Sequence, residues 1–169
     1  MTDQQNRKYD LVKEDAIDVH ERTLYRIRAI KDFSNVKKGD LGGYIQREKN
    51  LSHEGNCWVG DEAKVCGDAQ VFAQAQVYGN AEVFGHARVC GGAQVYGEAM
   101  ISGRAVIWGY CKVYENATVA DDSVIEDNAR IFGCAVVLGN TLVYENSRVC
   151  GDAVVGERIE ISGETIICD

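Results

Sequence analysis

From Cys57 to the C-terminus, apolar and polar positions follow one six-residue pattern without a break. Ala75-Gln76-Val77-Tyr78-Gly79-Asn80 is a representative unit. Stepping by six from Val59 meets only Val or Ile, nineteen positions in all, ending at Ile167. Two residues earlier stands Ala in twelve units, Cys, Ser or Thr in two each, and Ile159 in the remaining one. Residues two apart lie on the same side of an extended strand, so the small residue and the Val or Ile share an inward face. The residue between them and the residue after the Val or Ile point outward. Two positions past the Val or Ile, eleven of nineteen units carry Gly and the rest Asp, Glu or Ala. Gly tolerates positive φ and acidic side chains favour turns, so each unit reads as a short strand and a corner. A fixed short period of this kind signals a stacked repeat.

Three corners close a triangular coil of eighteen residues, and successive coils pair like a parallel sheet about 4.8 Å apart. The 113 residues from Cys57 make about six coils, a rod on the order of 30 Å long. The chain contains no Pro, which fits a ladder needing every donor. The repeat resembles the hexapeptide-repeat proteins. That resemblance implies an all-β fold, a single-stranded left-handed parallel β-helix of three hexads per coil and six to seven coils. The run GDLGGYIQREKNLSHEGNCWV, Gly39 to Val59, with the units that follow, is similar to bacterial and phage-encoded hexapeptide-repeat proteins often labelled transferases. Members commonly assemble as homotrimers of helices packed side by side.

Residues 1–44 break the period and read as an N-terminal tail and β capping segment; residues 45–169 read as the β-helix. Residues 1–7 read as a disordered tail. Lys8 to Lys13 and Thr23 to Phe33 read as strands, with Tyr25, Ile27 and Ala29 alternating with Arg26, Arg28 and Ile30. Asn35 to Asp40 reads as a turn, and Gly42-Gly43 as a tight approach to the first coil. The six-residue phase begins weakly at Ile45 and Leu51. A solenoid end needs a cap, because its first coil otherwise exposes apolar core and strand edges.

Charge divides unevenly. Residues 1–56 hold eleven Lys or Arg against ten Asp or Glu, net +1, and residues 57–169 hold seven against sixteen, net −9. An acidic rod repels nucleic acid, so direct nucleic-acid binding is not expected. No apolar stretch is long enough for a membrane span, and the polar start MTDQQNRKYD is unlike a signal peptide. The seven cysteines lack CxxC spacing and mostly fill repeat positions as small apolar residues, pointing to a reduced, cytoplasmic protein. Cys150 and Cys168 sit one coil apart; free thiols are the expected state.

Catalytic chemistry is sparse. Acyltransferases of the resembled family use a His base at a subunit junction, with CoA as cofactor. Of three His, His20 lies in the capping segment and His53 at an inward position. Only His86, at a corner without an orienting partner, could serve if the protein were an acyltransferase. The three do not share a phase, so no metal site is expected. The outward columns are richer. One carries Trp58, Gln76, Gln94, Lys112, Arg130 and Arg148, beside Tyr78, Tyr96, Tyr114 and Phe132. Tyr78, Tyr96, Tyr114, Lys112, Arg130 and Arg148 are the candidate ligand-binding residues, suited to an anionic or planar ligand. The other two carry Met100, Val136 and Leu138, and Val106, Trp108, Val124, Leu142 and Tyr144, apolar yet outward, as in an oligomer interface. The expected function is a non-catalytic, homo-oligomeric binding protein without cofactor. An acyl-CoA-dependent acyltransferase is the first alternative, and a phage-encoded inhibitor of host defence, sequestering nucleotides or imitating nucleic acid, the second.

Overall fold

The computed structural model describes residues 6–169, and they are almost entirely β. Nineteen short strands, from Trp58–Val59 to Ile166–Cys168, stand one per hexad. They stack in parallel with a constant step of eighteen residues, as in Gln76, Gln94, Lys112 and Arg130. Three faces result. The first is a seven-stranded sheet running from Trp58–Val59 to Ile166–Cys168, the third a six-stranded sheet from Gln70–Val71 to Glu160–Ile161. The second belongs to a nine-stranded sheet that also takes in the N-terminal segment. The outward columns are those the sequence predicts.

Inside, the Val and Ile of every hexad from Val59 to Val149 are fully buried or nearly so. The small residue two places earlier fills the narrow part of the triangle. Ser123, Thr141 and Ser147 fit there because each hydroxyl donates to a carbonyl three residues back, at 2.7, 2.7 and 2.6 Å. A buried hydroxyl without such a partner would be costly.

The corner residue takes the left-handed conformation in all eighteen units from Asp61 to Gly163, whether or not it is Gly. Its amide lies outside the coil-to-coil ladder. Where the corner residue is acidic and a coil follows, its carboxylate accepts from the corner amide one coil on: Asp61 from Gly79 at 2.9 Å, Glu115 from Gly133 at 2.7 Å, Asp121 from Gly139 at 3.0 Å, Asp127 from Glu145 at 3.2 Å, and Glu145 from Gly163. Acidic corners therefore satisfy backbone donors, a role beyond turn propensity.

The N-terminal segment departs from expectation in detail. Strand β1 (Tyr9–Val19) is longer than predicted and β2 (Arg22–Ala29) is shorter. They form an antiparallel hairpin with an irregular register between Val12 and Ala16. The two-residue turn His20-Glu21 has φ of 48° and 62°, the primed geometry that matches strand twist. Strand β3 (Leu41–Ile45) pairs antiparallel with β2 and parallel with Lys64–Val65, joining the hairpin to the second face. Gly42 and Gly43 allow that approach, since a Cβ on either would lie 2.5 or 2.4 Å from the carbonyl oxygen of Val59 or Ala63.

Ile45 pairs with Val65 and Leu51 with Val71, a step of twenty rather than eighteen. The first coil thus holds two extra residues between Leu51 and Val59, and His53 falls in that longer step. It does not occupy an inward stack position. Its ring stacks on Tyr9 at 4.2 Å, and its Nδ1 accepts from the Lys8 amide at 3.4 Å. Residues 1–5 of the expected disordered tail lie outside the described residues, but Arg7 pairs with Asp10 and Glu48. Lys8 seals the open coil. Its buried Nζ donates to the carbonyls of Gly55 at 3.2 Å and Cys57 at 2.8 Å, and burial pulls its pKa down. Cys150 and Cys168, expected as free thiols, face each other across adjacent coils with Cα atoms 4.5 Å apart, inside the range that a disulfide spans.

Candidate functional site

The first face carries the most organised surface chemistry. Tyr78, Tyr96, Tyr114 and Phe132 occupy one outward position in four successive coils, and the coil step brings their rings together. Centroids are 4.9, 5.0 and 5.1 Å apart, with planes within 2°, 5° and 5° of parallel. Burial raises the pKa of each of the three Tyr, so they are neutral phenols. The geometry corrects one expectation. A planar ligand cannot lie along the column, because facing rings are stacked on each other and present only their edges outward; the outer faces of the terminal rings, Tyr78 and Phe132, have no aromatic neighbour in the stack.

Beside the rings run Lys112, Arg130 and Arg148, paired in register on adjacent strands. Elsewhere on the solenoid, Lys64 meets Glu82 at 2.9 Å and Arg104 meets Asp122 at 2.6 Å, each one coil away, while Arg88 lies over the Phe72 ring. Among the described residues, Lys112, Arg130 and Arg148 have no such partner. Three like charges on strands about 4.8 Å apart repel one another. The arrangement stands on a chain of net charge −8.

Toward the N-terminus this face opens into a groove of about 670 Å³, between the first coils and the turn at residues 34–41. Trp58, Gly60, Asp61, Gln76, Tyr78 and Gln94 form its floor, and Ser34, Asn35, Val36, Asp40 and Leu41 its overhang. Trp58 is held edge-on by Phe33 at 5.4 Å and Tyr9 at 6.4 Å. Asp40 orders the turn by accepting from the Lys37 amide at 2.8 Å. From the sequence, Asn35 to Asp40 reads only as a turn within the capping segment. Nothing local to residues 34–41 shows that it overhangs Trp58. Gly60, by contrast, was legible as the residue eighteen before Tyr78.

The other candidates lie elsewhere. His86 has a carboxylate neighbour, Asp68, 3.6 Å from its Nδ1, a separation longer than a hydrogen bond. That carboxylate also meets Lys49 and Arg47, and His86 remains exposed on the corner. His20 sits in the hairpin turn beside a small hollow of about 170 Å³ shared with Met100 and Phe84. On the second face Met100 is 40% and Val154 69% exposed, with Val136 and Leu138 half-buried between them. On the third, Val106, Val124 and Leu142 are half-buried and Trp108 is exposed. Trp108 Nε1 donates to Glu126 at 2.7 Å and the Tyr144 hydroxyl to Glu160 at 2.6 Å, again one coil along. Among the described residues, no helix is long and apolar enough to cross a membrane.

Comparison with known proteins places the repeat. Residues 75–91 match a family model described as YdcK β-solenoid repeat. A segment of 39 residues is 51% identical to the uncharacterized acetyltransferase YdcK of Escherichia coli (strain K12), covering 23% of this chain and 12% of that protein. The match thus spans about an eighth of that relative's length and bears on the repeat alone.

Proposed function

We propose that this chain, a hexapeptide-repeat β-solenoid protein, works by binding and not by catalysis, with its first face as the recognition surface for an anionic ligand or partner. The observation that carries the reading is the column Lys112, Arg130 and Arg148, unpaired among the described residues and set in register beside a stacked aromatic ladder. Stacking makes the ladder rigid, so the cations sit on a surface that needs little ordering on binding. An anion following the rod axis would meet one cation per coil and relieve their repulsion. The apolar columns of the second and third faces support a side-by-side homo-oligomer, a trimer by the family's habit, which would leave the first face free.

Calorimetry with inorganic tripolyphosphate tests the reading. Binding should weaken at least tenfold, about 1.4 kcal/mol, in Arg130→Ala and in Arg148→Ala, with little change in melting temperature. Undiminished binding in both variants, or no binding by the parent protein at low salt, would refute it. One observation favours a second reading: the matched relative is named an acetyltransferase. His86, with Asp68 at 3.6 Å, would then be the base and acetyl-CoA the donor. Micromolar acetyl-CoA affinity, with acetyl transfer lost in His86→Ala, would replace the binding reading with that one.

A further inference from the structure

The aromatic ladder ends where it has reason to continue. Counting back eighteen residues from Tyr78 reaches Gly60, so the place for the next ring carries no side chain. Tyr96 and Tyr114 each have a ring stacked on both faces, whereas Tyr78 has a stacked ring, Tyr96, on one face only. Nothing in the backbone asks for glycine here. Gly60 is outside the positive-φ set, and a Cβ built on it would find its nearest neighbours, Trp58 and Tyr78, at an ordinary 3.6 Å. The contrast is with Gly55, where a Cβ would lie 2.3 Å from the Ala73 carbonyl oxygen. The vacant place opens into the groove beneath residues 34–41.

We infer that this open end is a ring-binding site: a flat, uncharged heteroaromatic ring bearing N–H donors, of the nucleobase type, stacks on Tyr78 in the place left by Gly60. Three features set the ligand class. The stack is parallel to within a few degrees, so a planar ring extends it with full face contact. No Lys or Arg lines the groove, while Asp40 and Asp61 do, which repels phosphate and favours N–H donors. Each of those carboxylates has one oxygen committed to a backbone amide, of Lys37 and Gly79, at 2.8 and 2.9 Å, and keeps the other as an acceptor. Gln94 adds an amide on the floor, and Trp58, braced by Phe33 and Tyr9, closes one side. The inference is independent of the cation column, which the ring does not touch.

The chain has two Trp, so Trp108→Phe leaves Trp58 as a fluorescence reporter inside the groove. Guanosine and adenosine titrated into this protein should change the Trp58 signal saturably, and Tyr78→Leu should weaken the binding at least tenfold. Gly60→Tyr should do the same while leaving the melting temperature unchanged or raised, because a fifth ring fills the site and completes the stack. If Gly60→Tyr fails to fold, Tyr78→Leu decides alone. No saturable change with either nucleoside up to millimolar concentration overturns the site. Saturable binding of methyl glucoside without nucleoside binding overturns the ligand class, and full-strength binding in a folded Gly60→Tyr or Tyr78→Leu protein overturns the location. Because nucleosides carry no phosphate, a negative result here leaves the tripolyphosphate experiment unaffected.

Discussion

Replacing Gly103 with Ala adds one methyl group at a corner. At most loop positions such a change is neutral or stabilising by about 0.4–1 kcal/mol, through loss of freedom in the unfolded chain. Here the sign should reverse. Gly103 has φ of +66°, and an L-residue in that region costs about 1–2 kcal/mol. The added Cβ would also lie 2.6 Å from the Asp121 nitrogen and 2.7 Å from its Cα. Those are backbone atoms of the next coil, so the coil itself must shift, at a cost of about 1 kcal/mol or more. The net expectation is a loss of roughly 2 kcal/mol, or a fall in melting temperature of about 4–8 °C for a chain of this size. Thermal and urea denaturation would measure it. The control is Ala73, the one Ala at a left-handed corner, with φ of 60°. Ala73→Gly removes a methyl and should still hold or raise stability, since relief of the left-handed strain offsets the entropy of Gly, about 0.5–1 kcal/mol. If Gly103→Ala melts with the parent protein while Ala73→Gly falls well below it, the corner geometry argued above is wrong.

The apolar columns predict self-association: sedimentation should show a species larger than the 18.6 kDa chain, and Val124→Glu with Leu142→Glu should dissociate it by placing charge in an apolar contact. A parent protein that is monomeric at micromolar concentration would refute this. Cys111 predicts an alkaline effect. Burial pushes its thiol from the ordinary 9.0 up to about 12, so above about pH 9 the unfolded chain releases a proton that the folded chain retains. Stability from this group is complete below pH 9 and falls by roughly 1.4 kcal/mol per pH unit above it. Cys111→Ala, which places the residue of twelve other hexads in the same slot, should flatten that slope in denaturation curves taken from pH 8 to 11. An unchanged slope would show that the thiol does not govern it.

The columns on all three faces were legible because the step of eighteen never varies after Cys57, so parity and phase alone decide which side chain faces out and what lies above it. The tyrosine stack followed from the same arithmetic. Where the step changes, the arithmetic failed. The twenty-residue first coil moved His53 off the inward stack and into contact with Tyr9, and the sequence carries that shift as an interval of eight from Leu51 to Val59 where later intervals are six. The carboxylate neighbour of His86 was readable, since Asp68 stands eighteen residues before it. The juxtaposition of Cys150 and Cys168 was readable in the same way, since they stand eighteen residues apart in one column. The overhang at residues 34–41 was out of reach, because it depends on how the β1–β2 hairpin docks through β3, and that docking turns on the close approach of Gly42 and Gly43 to Val59 and Ala63.

The capping segment and the aromatic ladder have to be considered together. A cap is required by any solenoid, and Lys8, Tyr9 and β3 provide it by closing the first coil and continuing its second-face sheet. None of that requires a turn reaching over the first face. The turn does reach there, and it does so where the ladder lacks its ring. A stacked aromatic pair contributes about 0.5–1.5 kcal/mol beyond burial, so a Tyr at position 60, where the backbone and neighbours leave room for a Cβ, is expected to add stability. Leaving Gly there forgoes that stabilisation and keeps a bare ring face at the bottom of a polar groove. The same interaction energy is then available to a ligand in place of the fold. On this argument stability and recognition compete at one position, and Gly60→Tyr should move both together, the melting temperature up and the affinity for an added ring down.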